Sequence, residues 1–328
     1  MTDVMFYTFE FELIGIMAEC ETNWTLKYND IGNFEVHFDP SHRLTQRLIE
    51  EDYILAVQGE NQAMITGKQL LDECVLYGRT LNYLLSKRVT QKFKSSELFT
   101  SGAIESKDIE SIARYVVSQA FSDVTNFELG EIVGFAESID FWRNTSNLTS
   151  DVVRDCLENG KAGHRVRADI KNKKWIFEVL QGQQRGKIIS EGNRNAYETK
   201  YTDDALDYCS GGWYEEQQEA QEGSAETPES IWKYIDKDTK TGIYRWEGLL
   251  NGSVESEAKS DLKKKQWQKK VETKTYDYVF GEDYNLGDTV RVQKTIGNFQ
   301  KTFAKRIIGV NMWFESNNIG QKPIFEEG

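Results

Sequence analysis

Histidines are the first residues to consider, because a Ser-His-Asp or Cys-His site needs an imidazole beside its nucleophile. The chain has three of them, His37, His42 and His164. The pattern places the first on the polar face of a strand, the second at the start of a turn or helix, and the third in a loop before a strand. No G-x-S-x-G sequence accompanies any of the three. We therefore expect no catalytic site built on histidine.

Two groups of acidic residues resemble metal-binding sequences. Glu35, His37 and Asp39 share one face of a predicted strand, at a spacing that metal ligands could use, but a solvent-facing strand gives the same alternation. Residues 236–247 imitate a calcium loop, yet the fifth and sixth places hold Lys240 and Thr241 where an oxygen ligand and a glycine belong. A β-hairpin with its turn at 238–242 explains this segment better. We expect no metal site and, without phosphate-binding glycine loops, no cofactor.

Residues 263–270 form the only dense basic patch, and Trp267 within it could stack on a nucleobase. Acidic residues just before the patch favour the solvated face of a helix instead. The 53 acidic residues also leave paired carboxylates for glycoside hydrolysis open, because a sequence does not show their separation.

Charge and composition exclude several classes of protein. The 328 residues include 40 Lys and Arg against 53 Asp and Glu, a net charge of −13, which argues against an ordinary reader of duplex DNA. No stretch approaches ~18 uncharged apolar residues, so we expect no membrane span. Segment 4–17 contains two glutamates and has no basic residue before it, which favours a strand over a signal peptide. The four cysteines are widely spaced, which predicts neither structural zinc nor a disulfide framework.

Hydrophobic periodicity predicts a β-rich chain with a helical middle. Helices are predicted at 80–87, 108–121, 149–160 (with Thr149 and Ser150 as N-cap) and 253–270. Residues 215–229 are predicted to be an acidic loop. Trp175 and Trp246 lie on alternating patterns, which predicts that both are buried. Strands are predicted at 4–17, 33–39, 53–57, 63–65, 74–77, 163–181, 231–235, 243–246 (the last two as a hairpin), 275–280, 289–293, 304–310 and 312–314.

Several segments, taken in order, resemble siphophage tail-hub proteins. Residues 24–36 are similar to the aromatic strand and "YNDxGxFEL" that open that family, and residues 77–88 to its "GRSLxxLLxxR" element. Residues 150–182 match its middle, and 283–292 with 306–310 match its closing "DYxLGDxVxV…RIxxV". The positions that carry these motifs are Tyr28, Gly32, Phe34, Gly78, Arg79, Leu81, Tyr284, Leu286, Gly287 and Asp288.

The resemblance implies a β-rich α+β fold, in which two β-barrel-like hub domains enclose an α/β insertion, assembled as a trimer. The implied domains are a first barrel-like domain at 1–96, an α/β domain at 97–196, and a second barrel-like domain at 197–328 that carries the 215–229 loop and the 253–270 helix. The sequence ends soon after the last predicted strand, so we expect no appended lytic domain.

The implied role is structural and not enzymatic: a tail-tip hub that adapts the six-fold tail tube to a three-fold tip and closes the channel for DNA exit. The implied partners are two further copies of the chain, the distal tail ring protein, the tape-measure protein and other tail-tip or receptor-binding proteins, with genomic DNA passing through unbound. The implied location is the virion tail tip, after assembly in the bacterial cytoplasm. Alternatives are a tail-associated peptidoglycan hydrolase, the hub of a genome-free contractile particle, and, if many tryptophans are exposed, a carbohydrate-binding tip module.

Two local predictions concern conformation and packing. Gly287 lies between two predicted strands in a turn that needs a positive φ, with Asp288 bonding to nearby backbone. The helix at 108–121 carries an apolar stripe that we assign to the core of its domain.

Overall fold

A computed structural model describes residues 3–18, 20–91, 99–100, 103–136, 138–142, 147–217, 230–276, 278–315 and 318–326. Within these ranges the chain is β-rich, as predicted. Most of the predicted loop 215–229 lies outside them, while residues 215–217 end a strand. None of the helices in the described ranges has the length and hydrophobicity that a membrane span requires. The strands are β1 (Val4–Thr8), β2 (Leu13–Met17), β3 (Glu21–Lys27), β4 (Asn33–Phe38), β5 (Ile54–Gln58), β6 (Asn61–Leu70), β7 (Cys74–Thr80), β8 (Val89–Thr90), β9 (Phe99–Thr100), β10 (Ala103–Asp108), β11 (Phe127–Leu129), β12 (Ser138–Trp142), β13 (Asn147–Leu148), β14 (Gly163–Asp169), β15 (Lys174–Leu180), β16 (Gln184–Ile189), β17 (Ala196–Asp204), β18 (Gly211–Gln217), β19 (Ser230–Asp236), β20 (Glu247–Leu249), β21 (Gln268–Thr275), β22 (Thr289–Ile296), β23 (Phe299–Glu315) and β24 (Asn318–Phe325).

The helices are α1 (Thr45–Glu50), α2 (Ile109–Ala120), α3 (Thr149–Asn159) and α4 (Glu255–Lys264), with short 3₁₀ segments at Leu81–Lys87 and Gly242–Tyr244. The predicted helix at 108–121 is confirmed: the Asp108 side chain accepts a hydrogen bond from Ser111 N and caps α2. The predicted N-cap of α3 is wrong, since Thr149 and Ser150 are already inside that helix and both are buried.

The chain forms two compact units. The larger comprises residues 1–199 and 273–326, and the smaller is built from residues 200–272. Strand β23, near the end of the sequence, pairs with β3 near its start, which places Val310 opposite Leu26. The three-domain division at residues 96 and 196 stays a prediction.

The main sheet of the larger unit joins strands from both ends of the chain. From β24 onward its order is β24-β23-β3-β4-β7-β6-β5-β1-β2, with β22 and β16 branching from β23. Strands β1 to β7 therefore lie together, next to the closing strands β22 to β24. The two ends of the sequence therefore contribute to one sheet.

A helical layer covers the middle of the larger unit. The small sheet β11-β15-β14 and helices α2 and α3 enclose a core that includes Val116, Val153 and Phe177, each at most 1% exposed. The apolar stripe of α2 is therefore buried within its own unit, as predicted. Helix α2 also buries Glu110, whose carboxylate accepts hydrogen bonds from the backbone of Val133 and Gly134.

The predicted hairpin at 231–246 is wrong. Strand β18 lies between β19 and β20, antiparallel to the first and parallel to the second. Residues 242–244 form a 3₁₀ turn instead of a strand. The sequence pattern could not show that a strand from residues 211–217 separates the two halves.

Two predicted boundaries near residue 270 are wrong for local reasons. Helix α4 ends at Lys264, after the last apolar residue of its inner face, and alternating burial of Val271, Thr273 and Thr275 then makes β21 a strand. Residues 276 and 278–280 do not continue that strand, since Tyr278 is buried by stacking on Tyr284 at 5.0 Å between ring centroids.

Residues 304–314 form part of one continuous strand, β23, and not two strands. Asn311 at the predicted break keeps the register, because it pairs with Thr25 of β3, and Phe314 further along still lies opposite Thr22. The final strand β24 was missed altogether. At the other end of the chain, the strand predicted at 4–17 is instead the antiparallel pair β1 and β2.

Candidate functional site

The three histidines lie apart from one another in three different settings. His37 Nδ1 is 3.1 Å from Glu73 Oε1, and its Nε2 is 3.7 Å from Glu35 Oε2. His42 Nδ1 accepts a hydrogen bond from the Leu44 backbone at 3.2 Å. Within the described residues, no three His, Cys, Asp or Glu side chains are grouped as a metal site. All four cysteines are free thiols.

His164 is buried inside the larger unit, with 2% of its surface exposed. It is the second residue of β14, and its Nδ1 lies 3.0 Å from Asn29 Oδ1. Burial lowers the pKa of this imidazole to about 4. The negative charge of Asp30 opposes this lowering, and the positive charge of Arg154 adds to it. The ring is therefore neutral at physiological pH and serves as a hydrogen-bonding core residue.

Tyr28 connects its own segment to three others, at residues 164, 180–182 and 308. Its hydroxyl donates to Leu180 O at 2.8 Å and accepts from Gly182 N at 3.2 Å. Its backbone N–H donates to Ile308 O and its carbonyl accepts from His164 N, both at 2.9 Å. Burial raises the pKa of the phenol, so the hydroxyl keeps the proton that it donates.

Gly287 packs its Cα face directly on the Tyr28 ring. Its φ is +88°, which confirms the predicted turn, and a Cβ atom at this position would lie 2.3 Å from two ring carbons of Tyr28. Two more glycines are equally confined. A Cβ atom added to Gly182 would lie 1.8 Å from Gly287 O, and one added to Gly163 would lie 2.3 Å from Tyr28 O. The close packing of these three segments thus requires glycine at each of the three positions.

Asp288 completes this group of contacts, and its side chain is 2% exposed. One carboxylate oxygen accepts from Gln183 N at 2.7 Å, and the other accepts from Asn285 N at 2.8 Å and Arg185 Nε at 2.6 Å. We call Tyr28, Gly182, Gly287 and Asp288 the motif junction. It brings the opening motif and the closing motif of the sequence into contact.

A second group of motif residues lies where β4 pairs with β7. In this pairing Asn33 is opposite Arg79. Arg79 donates a hydrogen bond to Asn33 Oδ1. Phe34 is fully buried, with its ring centroid 4.1 Å from that of Trp24. A Cβ on Gly78 would lie 2.1 Å from Met64 O, so β7 approaches β6 more closely than any larger residue permits.

The remaining motif residues are Gly32, Leu81, Tyr284 and Leu286. Gly32 N donates to Thr80 Oγ1 at 2.8 Å, directly before the buried Leu81. Leu286 lines a cavity beside the motif junction, while Tyr284 stacks on Tyr278 away from it.

Asn82 is a structural residue that the sequence analysis missed. Its side chain, 5% exposed, donates to Asp30 O at 2.9 Å and to His164 O at 3.2 Å, and accepts from Val166 N at 2.8 Å. The sequence contained one signal of this role: Asn82 is polar and directly follows Leu81 in an apolar helix pattern.

The cavity beside the motif junction has a volume of about 490 Å³ and lies within the larger unit. Its wall combines the apolar Leu26, Leu81 and Leu286 with the polar Gln62, Asn82 and Arg165, among others. Arg165 and Arg167 both bond to Glu178, at 2.7 and 2.8 Å. Burial alone would raise the pKa of the Glu178 carboxyl, but these hydrogen bonds outweigh it and lower that pKa.

Among the residues whose exposure the structure describes, the exposed tryptophans all lie in the smaller unit. Trp246, predicted to be buried, is 44% exposed, because the strand predicted for it does not form. Trp175 in the larger unit is buried, as predicted. The core of the smaller unit is formed by Tyr214, Leu250, Ala258 and Leu262.

Comparison of the whole fold with solved structures finds two prophage tail proteins and one further tail protein from a bacterium. The 43 kDa tail protein of prophage MuSo2 from Shewanella oneidensis matches with a TM-score of 0.55 and 11% identity, over 99% of this chain and 98% of that one. A tail protein from Neisseria meningitidis MC58 matches with a TM-score of 0.56 and 9% identity, over 99% and 96% of the two chains. Prophage tail protein gp18 from Listeria monocytogenes EGD-e matches with a TM-score of 0.55 and 9% identity, over 99% and 94%.

The chain has the fold of prophage tail proteins. This bears out the resemblance drawn from the sequence motifs. No protein-family model matches the sequence, and a search of curated proteins finds no match. The similarity is therefore one of fold, and the matched part covers nearly the full length of both chains in each pair.

Proposed function

We propose that the protein is a structural component of a phage tail, the hub at the tail tip. The observation that carries the proposal is the match in fold to three tail proteins over almost the whole of each chain. The motif junction adds support from inside the molecule, since the residues that resemble tail-hub motifs there are buried and in mutual contact. They hold the fold together and do not form an exposed reactive site.

In this proposal three copies form a ring, in which two barrel-like parts per chain imitate six-fold symmetry and dock on the hexameric tail tube. The pairing of β3 with β23 brings strands from both ends of the chain into one sheet, which is where the two parts would join. The ring would contact the distal tail ring protein, the tape-measure protein and other tail-tip proteins. Its place is the virion tail tip, after assembly in the host cytoplasm.

The channel of the ring would let DNA pass without holding it. Duplex DNA carries one negative charge per ~1.7 Å of its axis, so a basic wall would bind it and release it only at raised salt. A chain with a net charge of −13 can supply an acidic wall that repels the duplex weakly and uniformly. The basic residues 263–270 would then face away from the channel.

The mass of the purified protein in solution tests the proposal. Native mass spectrometry should find a complex of three 37.9 kDa chains, alone or after addition of the tail ring protein. A monomer that stays a monomer with that ring protein would contradict the hub assignment. A zymogram on bacterial cell walls separates the alternative of a peptidoglycan hydrolase, because a structural hub leaves no zone of clearing.

A further inference from the structure

The hairpin formed by β22 and β23 ends in an exposed apolar turn. Residues 295–302 are all exposed, and Ile296 pairs with Phe299 across a turn of two residues. Gly297, the first of these two, has a φ of +54°, as a tight hairpin turn requires at this position. Ile296 is 67% exposed, so the end of the hairpin presents apolar surface to solvent. We call residues 291–306 the arm.

The arm is positively charged, although the chain as a whole carries a net charge of −13. Residues 289–314 contain no acidic residue and five basic ones, which all lie in the arm: Arg291, Lys294, Lys301, Lys305 and Arg306. Glu191 and Glu326, from other segments, pair with two of them. Lys294 and Lys301 are directly opposite each other in the hairpin, where like charges repel. An acidic surface on a partner would reduce this repulsion.

A second hairpin, formed by β6 and β7, ends in an exposed apolar turn of opposite charge. Residues 70–73, Leu-Leu-Asp-Glu, are all exposed there, and Leu71 is 73% exposed. Lys68 Nζ donates to Ile49 O at 2.9 Å, which holds the end of α1 beside this hairpin. The three acidic residues at 50–52, directly after Ile49, are therefore close to the hairpin as well. We call residues 50–52 and 70–73 the acidic tip.

The arm and the acidic tip lie at opposite ends of the strands of the main sheet, within the larger unit. Lys27, at the end of β3, pairs with Gly309, and β23 reaches the arm beyond this pair. At the start of β3, Glu21 pairs with His37, which pairs in turn with Val75 next to the acidic tip. Complementary surfaces at opposite ends of one subunit suit a head-to-tail contact between copies, which closes into a ring if the rotation fits.

We propose that the arm of one copy docks on the acidic tip of the next copy, and that this contact repeats around the ring. Ile296 and Phe299 would pack on Leu70 and Leu71, with the lysines of the arm facing the carboxylates of the tip around this apolar centre. A second copy is the occupant that the sequence itself points to, because it carries both the apolar surface and the opposite charge. The inference rests on the proposed function, since it supplies an interface for the ring of three copies.

Native mass spectrometry of single variants tests the proposal, under the conditions in which the unaltered chain is a trimer. Ile296→Asp in the arm and Leu71→Asp in the acidic tip should each lower the trimer fraction about tenfold or more, because each places a carboxylate in the apolar centre of the contact. Ile132→Asp is the matched control, since Ile132 is 74% exposed in the larger unit and belongs to neither surface. Its trimer fraction should equal that of the unaltered chain.

An equal mixture of Ile296→Asp and Leu71→Asp gives a second, independent readout. The first variant keeps an intact acidic tip and the second keeps an intact arm. The mixture should therefore form a dimer with one copy of each variant, and no larger complex, because the two remaining surfaces are both altered. A misfolded variant would not form this dimer, and circular dichroism of each variant alone checks its fold.

The inference is overturned if both variants remain trimers, if their mixture forms no dimer, or if Ile132→Asp lowers the trimer fraction as much as they do. Variants that remain trimers would leave the hub assignment intact, because the ring would then use another interface. An unaltered chain that stays a monomer, even with the tail ring protein, would contradict the hub assignment and this contact together.

Discussion

Gly287 lies flat against the ring of Tyr28, so closely that a Cβ atom on the glycine would be 2.3 Å from two ring carbons. The two residues belong to the first and last thirds of the sequence, and each lies in a segment that resembles a tail-hub motif. The contact therefore joins the two segments directly, with the glycine fitted against the aromatic ring.

Replacing Gly287 with alanine should destabilise the larger unit by about 2 kcal/mol or more beyond the cost of its backbone conformation. Gly281→Ala is the matched control, because Gly281 has the same φ of +88° but no atom within 4 Å of its added Cβ. Urea unfolding at one fixed protein concentration measures both. Equal losses in the two variants would show that the Tyr28 contact contributes nothing.

Asp288→Asn should lower the free energy of unfolding by about 3 kcal/mol. The amide loses the charge that pairs with Arg185 and turns an N–H group toward a backbone donor, either Gln183 or Asn285. Asp123→Asn is the control, since Asp123 pairs with Arg88 on the surface and should cost less than ~1 kcal/mol. A loss no greater than that of the control would contradict the assigned hydrogen bonds.

His164 should make the protein less stable as the pH falls. Its folded-state pKa of about 4 lies below the ordinary value of 6.5, so between these two pH values the unfolded chain binds a proton that the folded chain excludes. The stability that this neutral ring contributes is present above pH 6.5 and is lost by about pH 4, roughly 3 kcal/mol in all.

Comparison with His164→Asn isolates that contribution, because asparagine can donate to Asn29 but does not titrate. The difference in unfolding free energy between the two proteins, measured from about pH 7.5 down to about pH 4.5, should move in favour of the variant as the pH falls. A difference that stays constant over this range would show that His164 is not held neutral.

Val116→Asp should prevent folding of the larger unit, since Val116 is 1% exposed and an unpaired buried carboxylate costs several kcal/mol. Gln119→Asp, on the exposed side of α2, should fold normally. Circular dichroism and gel filtration measure both. If Val116→Asp folds but no longer assembles, the apolar stripe of α2 is an interface and not a core.

The purified complex should fail to retard duplex DNA at low salt, where nonspecific binding is strongest. The triple variant with Lys263, Lys264 and Lys265 changed to Glu should behave in the same way. Tight binding that disappears in this variant would contradict the DNA conduit and point to nucleic-acid recognition.

The sequence sufficed for those parts of the fold that depend on local periodicity. Helix α2 and strand β4 lie where the alternation of apolar residues predicted them. The turn at Gly287 was also predictable, because glycine between two strands before an aspartate has a local conformational meaning.

The sequence did not suffice where distant segments decide the local structure. The hairpin at 231–246 fails because β18 separates its two halves, and Trp246 is exposed for the same reason. The contacts of Tyr28 were also out of reach. The resemblance marked Tyr28 as a motif residue, but only the fold shows that Gly163 and Gly287 pack on its ring and that Gly182 N bonds to its hydroxyl.

The most direct test of the proposed function is a three-dimensional reconstruction of the tail tip of the phage particle that carries this chain. We expect three copies in a ring directly below the hexameric tail tube, with Asp, Glu and neutral polar residues lining the bore and residues 263–270 outside it. Absence of the chain from the tip, or a ring of other than three copies, would contradict it.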